Sequence, residues 1–440
     1  MSTLNLTQAA EYALEVAKRG GADQAEASLH QGTGLSLTAR QNELETVEKH
    51  NDGQIVVSVY NDHKTGSASS ADLTRDGIKS TVEAALSIAT FTGKDECLGL
   101  ADADRMATNL YDLDQDHAWD KTVKEFSELV LECEAEALRQ DPRIVNSEGA
   151  SISSYRGSGV YANSHGFLSE GKGSQHSLSC SVIAADENGM QRDYWYDANR
   201  NPANLQSALE IGRRAGERTV ARLGSQKIGS TTAPVLFDPV MAKSLVGHLL
   251  GSLKGGAIYK KASFMLDKID HTILPEFFNL SENPHLKGGN NSSLHDSEGV
   301  ATPAQRSIVE NGVLQSYILG SYTARKLGTQ STANAGGVRN IRLSNTGQGF
   351  SDLLKELNTG LLVTELIGSG VNSVTGDYSR GAAGFWIENG ELAYPVEEIT
   401  IAGNLVNMYK NIVAIGNDTD ERGNTHCGSI LLESMTIAGS

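Results

Sequence analysis

The stretch Phe385-Trp386-Ile387-Glu388-Asn389-Gly390-Glu391-Leu392-Ala393-Tyr394 decides the fold class of this chain. Two runs with aromatic and aliphatic residues flank Asn389-Gly390, a dipeptide that favours the two-residue turn of an antiparallel hairpin. The same signal recurs at Asn311-Gly312 and at Asn188-Gly189. Strand patterns and helix patterns also come in runs and not in strict alternation. The sequence therefore predicts an α+β fold with antiparallel sheets and flanking helices.

Composition along the chain predicts two main domains. Residues 224–234 are rich in Gly, Ser and Thr and contain a Pro, so they form a break between a domain at 1–228 and a strand-rich domain at 229–440. Within the first domain we expect subsections at about 1–95 and 115–228, joined by a polar linker.

Two local patterns refine this division. Residues 92–118 are polar, acidic and weakly patterned, which places the linker there. Asn51-Asp52-Gly53 predicts a turn between a strand at 43–47 and a strand at 55–60. The first subsection is therefore expected to be an antiparallel meander.

A helix is predicted at residues 239–254. Asp238 is a favoured N-cap residue, and Pro239 suits the first helical position. One face is apolar and contains Ala242, Leu245, Val246, Leu249, Leu250 and Leu253. His248 lies about 130° from the centre of that face at ~100° per residue. We expect His248 to face solvent, a cleft or a partner.

Charge and composition exclude several classes of partner. The 440 residues include 54 Asp and Glu against 37 Lys and Arg, a formal charge of -17 that repels phosphate backbones and anionic membranes. We expect no nucleic-acid partner and no membrane partner. The start, Met1-Ser2-Thr3-Leu4-Asn5-Leu6, lacks the features of a signal peptide, so a cytoplasmic location is predicted. Four separated cysteines without a C-x-x-C pair are expected to be reduced thiols.

Motif searches leave few candidates for chemistry. There is no P-loop, no G-x-S-x-G, and no pair of histidines at i, i+3 or i, i+4 that could place two imidazoles on one helix face. His426-Cys427 is a weak candidate pair for one metal ligand or for a cleft position. The glycine-rich segment 375–384 surrounds Asp377, Tyr378 and Arg380 and would allow a close backbone approach by a strand or a ligand.

Several segments resemble one protein family. Gly376-Asp377-Tyr378-Ser379-Arg380-Gly381-Ala382-Ala383-Gly384-Phe385-Trp386 closely resembles the TldD/PmbA family, and within it the PmbA-type, or TldE-type, branch. Further similar segments lie at 66–70, 163–166, 296–300 and 398–405. The resemblance implies a two-part α+β protein that pairs with a TldD-type subunit to form a cytoplasmic zinc metallopeptidase acting on peptides and unstructured chains. An older label of the family is modulator of DNA gyrase.

The resemblance also implies that this chain lacks zinc ligands. TldD-type members carry H-E-x-x-x-H on the helix that corresponds to 239–254, and those three positions fall on Val246, Gly247 and Gly251 here. The late metal-binding Cys of TldD-type members corresponds to Cys427. One retained position cannot hold a catalytic zinc, because such sites need three protein ligands. We therefore expect no catalytic residue, no metal ligand and no cofactor in this chain alone, with zinc in the partner subunit.

Three hypotheses of function follow. The first is a subunit that shapes the cleft over the partner's metal and holds unfolded peptides by β-strand addition; its candidate cleft residues are Asp377, Tyr378, Arg380, His248 and His426. The second is a self-sufficient metallopeptidase with dispersed ligands such as His248, His426 and Cys427. The third is a non-enzymatic modulator of DNA gyrase. An isolated preparation could also form a homodimer through the surface meant for the partner.

Overall fold

Three β-sheets with helices packed against them make up the part of the chain that the structure describes. The computed structural model describes residues 4–439. The first three residues of the segment Met1–Leu6, on which the prediction about a signal peptide rests, lie outside the described part. Strands and helices come in runs, and the α+β prediction is confirmed. None of the helices within residues 4–439 has the length and apolar composition needed to cross a bilayer.

The first sheet consists of six long antiparallel strands. They are β1 (Gln24–Arg40), β2 (Glu43–Asn61), β3 (Lys64–Ser70), β4 (Ile144–Asn163), β5 (Leu168–Asp186) and β6 (Gly189–Asn199), in the spatial order β3-β2-β1-β4-β5-β6. Alternate apolar residues of these strands face one side. That side is covered by α1 (Leu6–Arg19), α2 (Arg75–Phe91), α3 (Val123–Arg139) and α4 (Ala208–Ala221).

The turn predicted within β2 is wrong. The chain reverses at Gln41 and Asn42, whose φ angles are 55° and 61°, and β2 continues through residues 51–53. Those residues pair with residues 31–33 of β1, so the ladder satisfies their backbone groups and outweighs the local turn preference. As a result, residues 43–54 of β2 pair only with β1, and they form a free sheet edge within the described chain.

The segment between α2 and α3 is closely packed. Residues 92–118, predicted as a polar linker, contain one 3-10 turn at Ala103–Arg105 and bury Leu100. The Ala107 N–H donates to the Gly299 carbonyl oxygen over 3.0 Å, so the segment contacts the later half of the chain. The predicted domain boundaries remain predictions.

The later half contains the other two sheets. Its strands are β7 (Thr231–Phe237), β8 (Leu280–Glu282), β9 (Arg306–Glu310), β10 (Val313–Leu314), β11 (Ile341–Leu343), β12 (Gly360–Ile367), β13 (Asp377–Glu388), β14 (Glu391–Asn404), β15 (Ile412–Ile415), β16 (Thr425–His426) and β17 (Ile430–Ala438). The small sheet has the order β10-β9-β8-β11-β16, and the large one β14-β13-β12-β7-β17-β15. β14 also pairs with β17, so five strands of the large sheet close into a ring.

Local turn chemistry explains the hairpins of this half. β13 and β14 are joined by Asn389 and Gly390, with φ angles of 53° and 77°, and β9 and β10 by Asn311 and Gly312, with φ angles of 48° and 75°. These backbone angles are those that Asn and Gly tolerate best. Both predicted hairpins are confirmed.

The later half also contains helices. They are α5 (Pro239–Ser252), α6 (Gly255–Tyr259), α7 (Ser321–Lys326), α8 (Phe350–Leu357) and α9 (Leu405–Lys410). Because neighbouring residues of a strand point to opposite faces, Val235 and Phe237 of β7 join the core that contains α5, whereas Leu236 joins the core that contains α8. α5 therefore lies between the large sheet and the rest of the later half.

Candidate functional site

Helix α5 contains or contacts several of the predicted site residues. Asp238 caps it, accepting a hydrogen bond of 2.7 Å from the Met241 N–H, and Pro239 is its first residue, as predicted. The helix ends at Ser252, two residues earlier than expected. Its predicted apolar face is buried in the main core of the later half.

Near the end of α5, His248 packs against strand β13. Its ring lies 6.0 Å from that of Tyr378, at an angle of 76°. Tyr378 is only 2% exposed, and Arg380, two residues on, shares its face of the strand. The structure therefore brings three of the five predicted cleft residues together.

This cluster of His248, Tyr378 and Arg380 contains polar atoms without partners. His248 Nε2, Tyr378 OH and Arg380 Nε are all buried, and none forms a hydrogen bond within the described chain. Burial, followed by the Arg380 charge, lowers the pKa of His248. Burial raises the pKa of Tyr378 to about 12, against the opposing effect of Arg380. Near pH 7 the cluster thus offers a neutral imidazole, a neutral phenol and one positive charge.

Asp377 and His426 do not join that cluster. Asp377 is exposed on the opposite side of β13, where Thr375 and Asn404 donate to its carboxylate over 2.6 Å and 3.1 Å. These hydrogen bonds, that of Thr375 foremost, lower the pKa of Asp377. His426 is half-buried in β16, with Nε2 3.3 Å from the Gly423 carbonyl oxygen.

Cys427 lies at the other end of α5. Its side chain is fully buried, with Sγ 3.7 Å from the Pro239 carbonyl oxygen, and burial raises its pKa to about 12. A thiol with that pKa stays protonated near pH 7. His248 is nine residues further along the helix, or about 13 Å at ~1.5 Å per residue. Cys427 and His248 therefore lie near opposite ends of α5.

A buried ion pair that sequence analysis did not find lies beside Cys427. Lys243 Nζ is 3.1 Å from Asp420 Oδ2, and the Arg422 guanidinium binds the same carboxylate through two contacts of 2.8 Å and 2.9 Å. Burial lowers the pKa of Lys243, although the Asp420 charge opposes that change. The only signal in the sequence was a lysine beside the apolar face of a helix, which does not identify a partner in a distant loop.

The comparisons with known proteins establish the family. Profiles described as the PmbA/TldA metallopeptidase domain 1, central domain and C-terminal domain match residues 25–89, 116–223 and 230–439. The chain belongs to the PmbA/TldD metallopeptidase family. The resemblance found in the sequence is confirmed.

Similar proteins match over almost the whole chain. The metalloprotease PmbA of Escherichia coli O157:H7 is 46% identical over 434 residues, covering 99% of this chain and 96% of its own length. A PmbA homologue of Haemophilus influenzae is 47% identical over 437 residues, with the same coverage. A solved structure from Bacteroides thetaiotaomicron, described as a candidate modulator of DNA gyrase, has 29% identity and a TM-score of 0.93, covering 99% of both chains.

Proteins of both family branches are similar to this chain. A Buchnera aphidicola protein called a TldD metalloprotease homologue is 23% identical and covers 89% of this chain and 87% of its own length. The crystal structure of TldE from Thermococcus kodakarensis has a TM-score of 0.82 at 19% identity, covering 98% of this chain and 99% of its own, which shows a shared fold.

The family implies a metal ion, and the residues of α5 do not fit one. Val246 is buried in the core, and Gly247 and Gly251 have open space beside them and no side-chain donor. Within residues 4–439, no group of three or more His, Cys, Asp or Glu side chains is arranged to hold an ion. Val246, Gly247 and Gly251, the positions expected from the resemblance to match the metal-binding motif, therefore offer no ligand set of the kind that zinc requires.

Proposed function

We propose that this chain is the PmbA/TldE-type subunit of a cytoplasmic TldD/PmbA zinc metallopeptidase. It binds and presents unfolded peptides, and a TldD-type partner holds the catalytic metal. The observation that carries this proposal is the composition of α5: Val246, Gly247 and Gly251, which the resemblance aligns with the metal-binding side chains of TldD-type members, offer no ligand in a chain that matches the family along its length. A chain without the ligands needs a partner that has them.

The free edge of β2 supports the peptide-binding part of this proposal. Residues 43–54 present unpaired backbone N–H and C=O groups within the described chain, to which an extended peptide can add as a further strand. Leu44 and Val47 are exposed there and offer apolar contacts to alternate side chains of the peptide. An unfolded chain is the substrate that best matches such an edge, because its own backbone groups are unpaired.

The cluster at the end of α5 supports a second contact with the peptide. His248, Tyr378 and Arg380 hold buried polar atoms whose desolvation is not offset by any hydrogen bond of the described chain. A peptide carbonyl or carboxylate at the cleft would accept hydrogen bonds from the Tyr378 hydroxyl and the Arg380 guanidinium. We propose Asp377 and His426 as separate peptide contacts outside this cluster, because Asp377 is exposed on the opposite side of β13 and His426 is half-buried in β16.

Metal analysis tests the proposal against a self-sufficient enzyme. The purified chain, dialysed against trace zinc, should retain far less than one zinc ion per chain. Stoichiometric zinc that is lost in Cys427→Ala, but kept in the control Cys97→Ala, would instead support dispersed ligands in this chain.

Binding to DNA gyrase is the non-enzymatic alternative. It is favoured only by the descriptions given to similar solved structures. A pull-down at physiological salt that lacks gyrase would dispose of it, and a pull-down that retains gyrase would support it.

A further inference from the structure

A cavity of about 760 Å³ lies at the start of α5, away from the cluster of His248, Tyr378 and Arg380. One wall comes from β6, α4 and the loop between them, and the other from α5, α8, β12 and the loop at 418–422. The cavity thus joins two parts of the chain that are far apart in sequence. Nothing in the proposed peptidase function assigns it a role.

The positive side chains around this cavity already have carboxylate partners. Three arginines line it, and each is paired with a carboxylate: Arg214 with Glu210 (2.6 Å), Arg218 with Asp193 (3.2 Å) and Arg422 with Asp420 (2.8 Å). All three also surround the Trp195 ring, with guanidinium carbons 5.0, 5.4 and 4.2 Å from its centroid. They form a fixed wall and are not free to bind an anion.

The negative charges are in excess. Five carboxylates line the cavity, and of these only Asp420 forms an ion pair within the described chain; the others are Asp197, Asp238, Asp418 and Glu421. The backbone N–H groups of Ala198 and Gln206 hold Asp197, and Ser429 holds Asp418. The cavity therefore attracts a cation.

Asp238 is the carboxylate that most needs a counter-charge. It is only 8% exposed, and while Oδ1 accepts from the Met241 N–H, Oδ2 accepts no hydrogen bond from residues 4–439. Burial raises its pKa to about 6, so most of it is charged near pH 7. The Arg218 charge opposes this rise, but Arg218 forms its ion pair with Asp193, so a bound cation would offset the cost of burying the Asp238 charge.

The apolar residues that line the cavity favour an organic cation over a metal ion. Pro239, Val240, Phe350 and Leu362 lie on the wall around Asp238 and suit a hydrocarbon chain more than a hydrated metal ion. We propose that this cavity binds a primary alkylammonium group, with the ammonium at Asp238 and the alkyl chain against Phe350 and Leu362. A lysine side chain of a protein or peptide and a free aliphatic diamine share this chemistry. The inference does not depend on the metallopeptidase proposal.

The test compares matched ligands on the wild-type protein by NMR titration. Nα-acetyl-lysine amide and 1,5-diaminopentane represent the two sources, and Nα-acetyl-norleucine amide has a similar alkyl chain without the charge. We expect the lysine amide, the diamine or both to bind at least tenfold more tightly than the norleucine amide. Tighter binding of the lysine amide assigns the site to peptides, and tighter binding of the diamine assigns it to free amines. Equal affinity for the charged and uncharged ligands would overturn the proposal.

A substitution at Asp238 tests whether its carboxylate binds the ammonium group. Asp238→Asn keeps a side chain that caps α5 and removes the charge, so the fold should persist and the preference for ammonium should fall at least tenfold. Asp76→Asn, at an exposed position of α2, changes the net charge equally and should leave the preference unchanged. An unchanged preference in Asp238→Asn would contradict the proposal.

Discussion

Lys243 and Asp420 form a buried ion pair, with 3.1 Å between Nζ and Oδ2, that fixes the loop at 418–422 to the second turn of α5. The same lysine donates to the Arg422 carbonyl oxygen. This pair connects α5 to the loop that lines one wall of the cavity, and it lies next to Cys427.

The first prediction concerns the stability that this pair provides. Lys243→Met should lower the free energy of unfolding by about 2 kcal/mol, because it leaves Asp420 buried with Arg422 as its only cation. Urea denaturation measures the change. Lys79→Met is the control, because the Lys79–Glu83 pair of α2 is exposed and should contribute less than ~0.5 kcal/mol. Equal effects of the two substitutions would show that the Lys243 pair is no stronger than a surface pair.

The second prediction concerns the four thiols. Cys133, Cys180 and Cys427 are fully buried, whereas Cys97 is half-buried. One thiol per native chain should therefore react rapidly with a disulfide reagent at pH 8, and four should react after unfolding. Cys97→Ser should abolish the rapid phase. A rapid phase that persists in Cys97→Ser and disappears in Cys427→Ala would show that Cys427 is accessible.

The third prediction concerns the pH dependence of stability at Asp238. Because burial raises its pKa from 3.8 to about 6, the folded state binds this proton more tightly than the unfolded state. The contribution is fully present below pH 3.8 and is lost as the pH rises through 6. The stability of the wild type relative to Asp238→Asn should thus fall by about 2 kcal/mol between pH 4.5 and 7.5. A difference that stays constant over this range would rule out the raised pKa.

The fourth prediction compares two buried tyrosines. The Tyr409 hydroxyl donates to the Leu245 carbonyl oxygen over 3.0 Å, so Tyr409→Phe should cost about 1 kcal/mol of stability. The Tyr378 hydroxyl has no partner in the described chain, so Tyr378→Phe should be close to neutral. In the reconstituted peptidase, Tyr378→Phe should instead raise the KM for peptide several-fold, and Tyr409→Phe should leave it unchanged. A raised KM in Tyr409→Phe and an unchanged KM in Tyr378→Phe would show that Tyr378 does not contact the peptide.

The parts of the fold that depend on local chemistry were predictable from the sequence. Asn389-Gly390 and Asn311-Gly312 form the expected hairpins because both residues tolerate the required positive φ angles. Asp238 and Pro239 begin α5 for equally local reasons. Residues 51–53 failed as a turn because pairing with the full length of β1 prevails over local preference.

The site was less predictable, because its contacts join distant parts of the chain. A single helical wheel places His248 away from the apolar face of α5, but strand β13 packs against that side as well, so the imidazole is half-buried and its Nε2 is fully enclosed. The Lys243–Asp420 pair and the cavity at Asp238 depend on a loop that follows α5 by well over a hundred residues. No periodicity within a helix or strand could have revealed them.

Reconstitution of peptide cleavage tests the central claim most directly. A fixed amount of a TldD-type partner loaded with zinc is mixed with increasing amounts of this chain, and cleavage of an unfolded peptide is followed. We expect no cleavage by this chain alone, and a rate that rises to a plateau once each partner is saturated. Full activity of this chain alone, or a rate that does not change when it is added, would contradict the account.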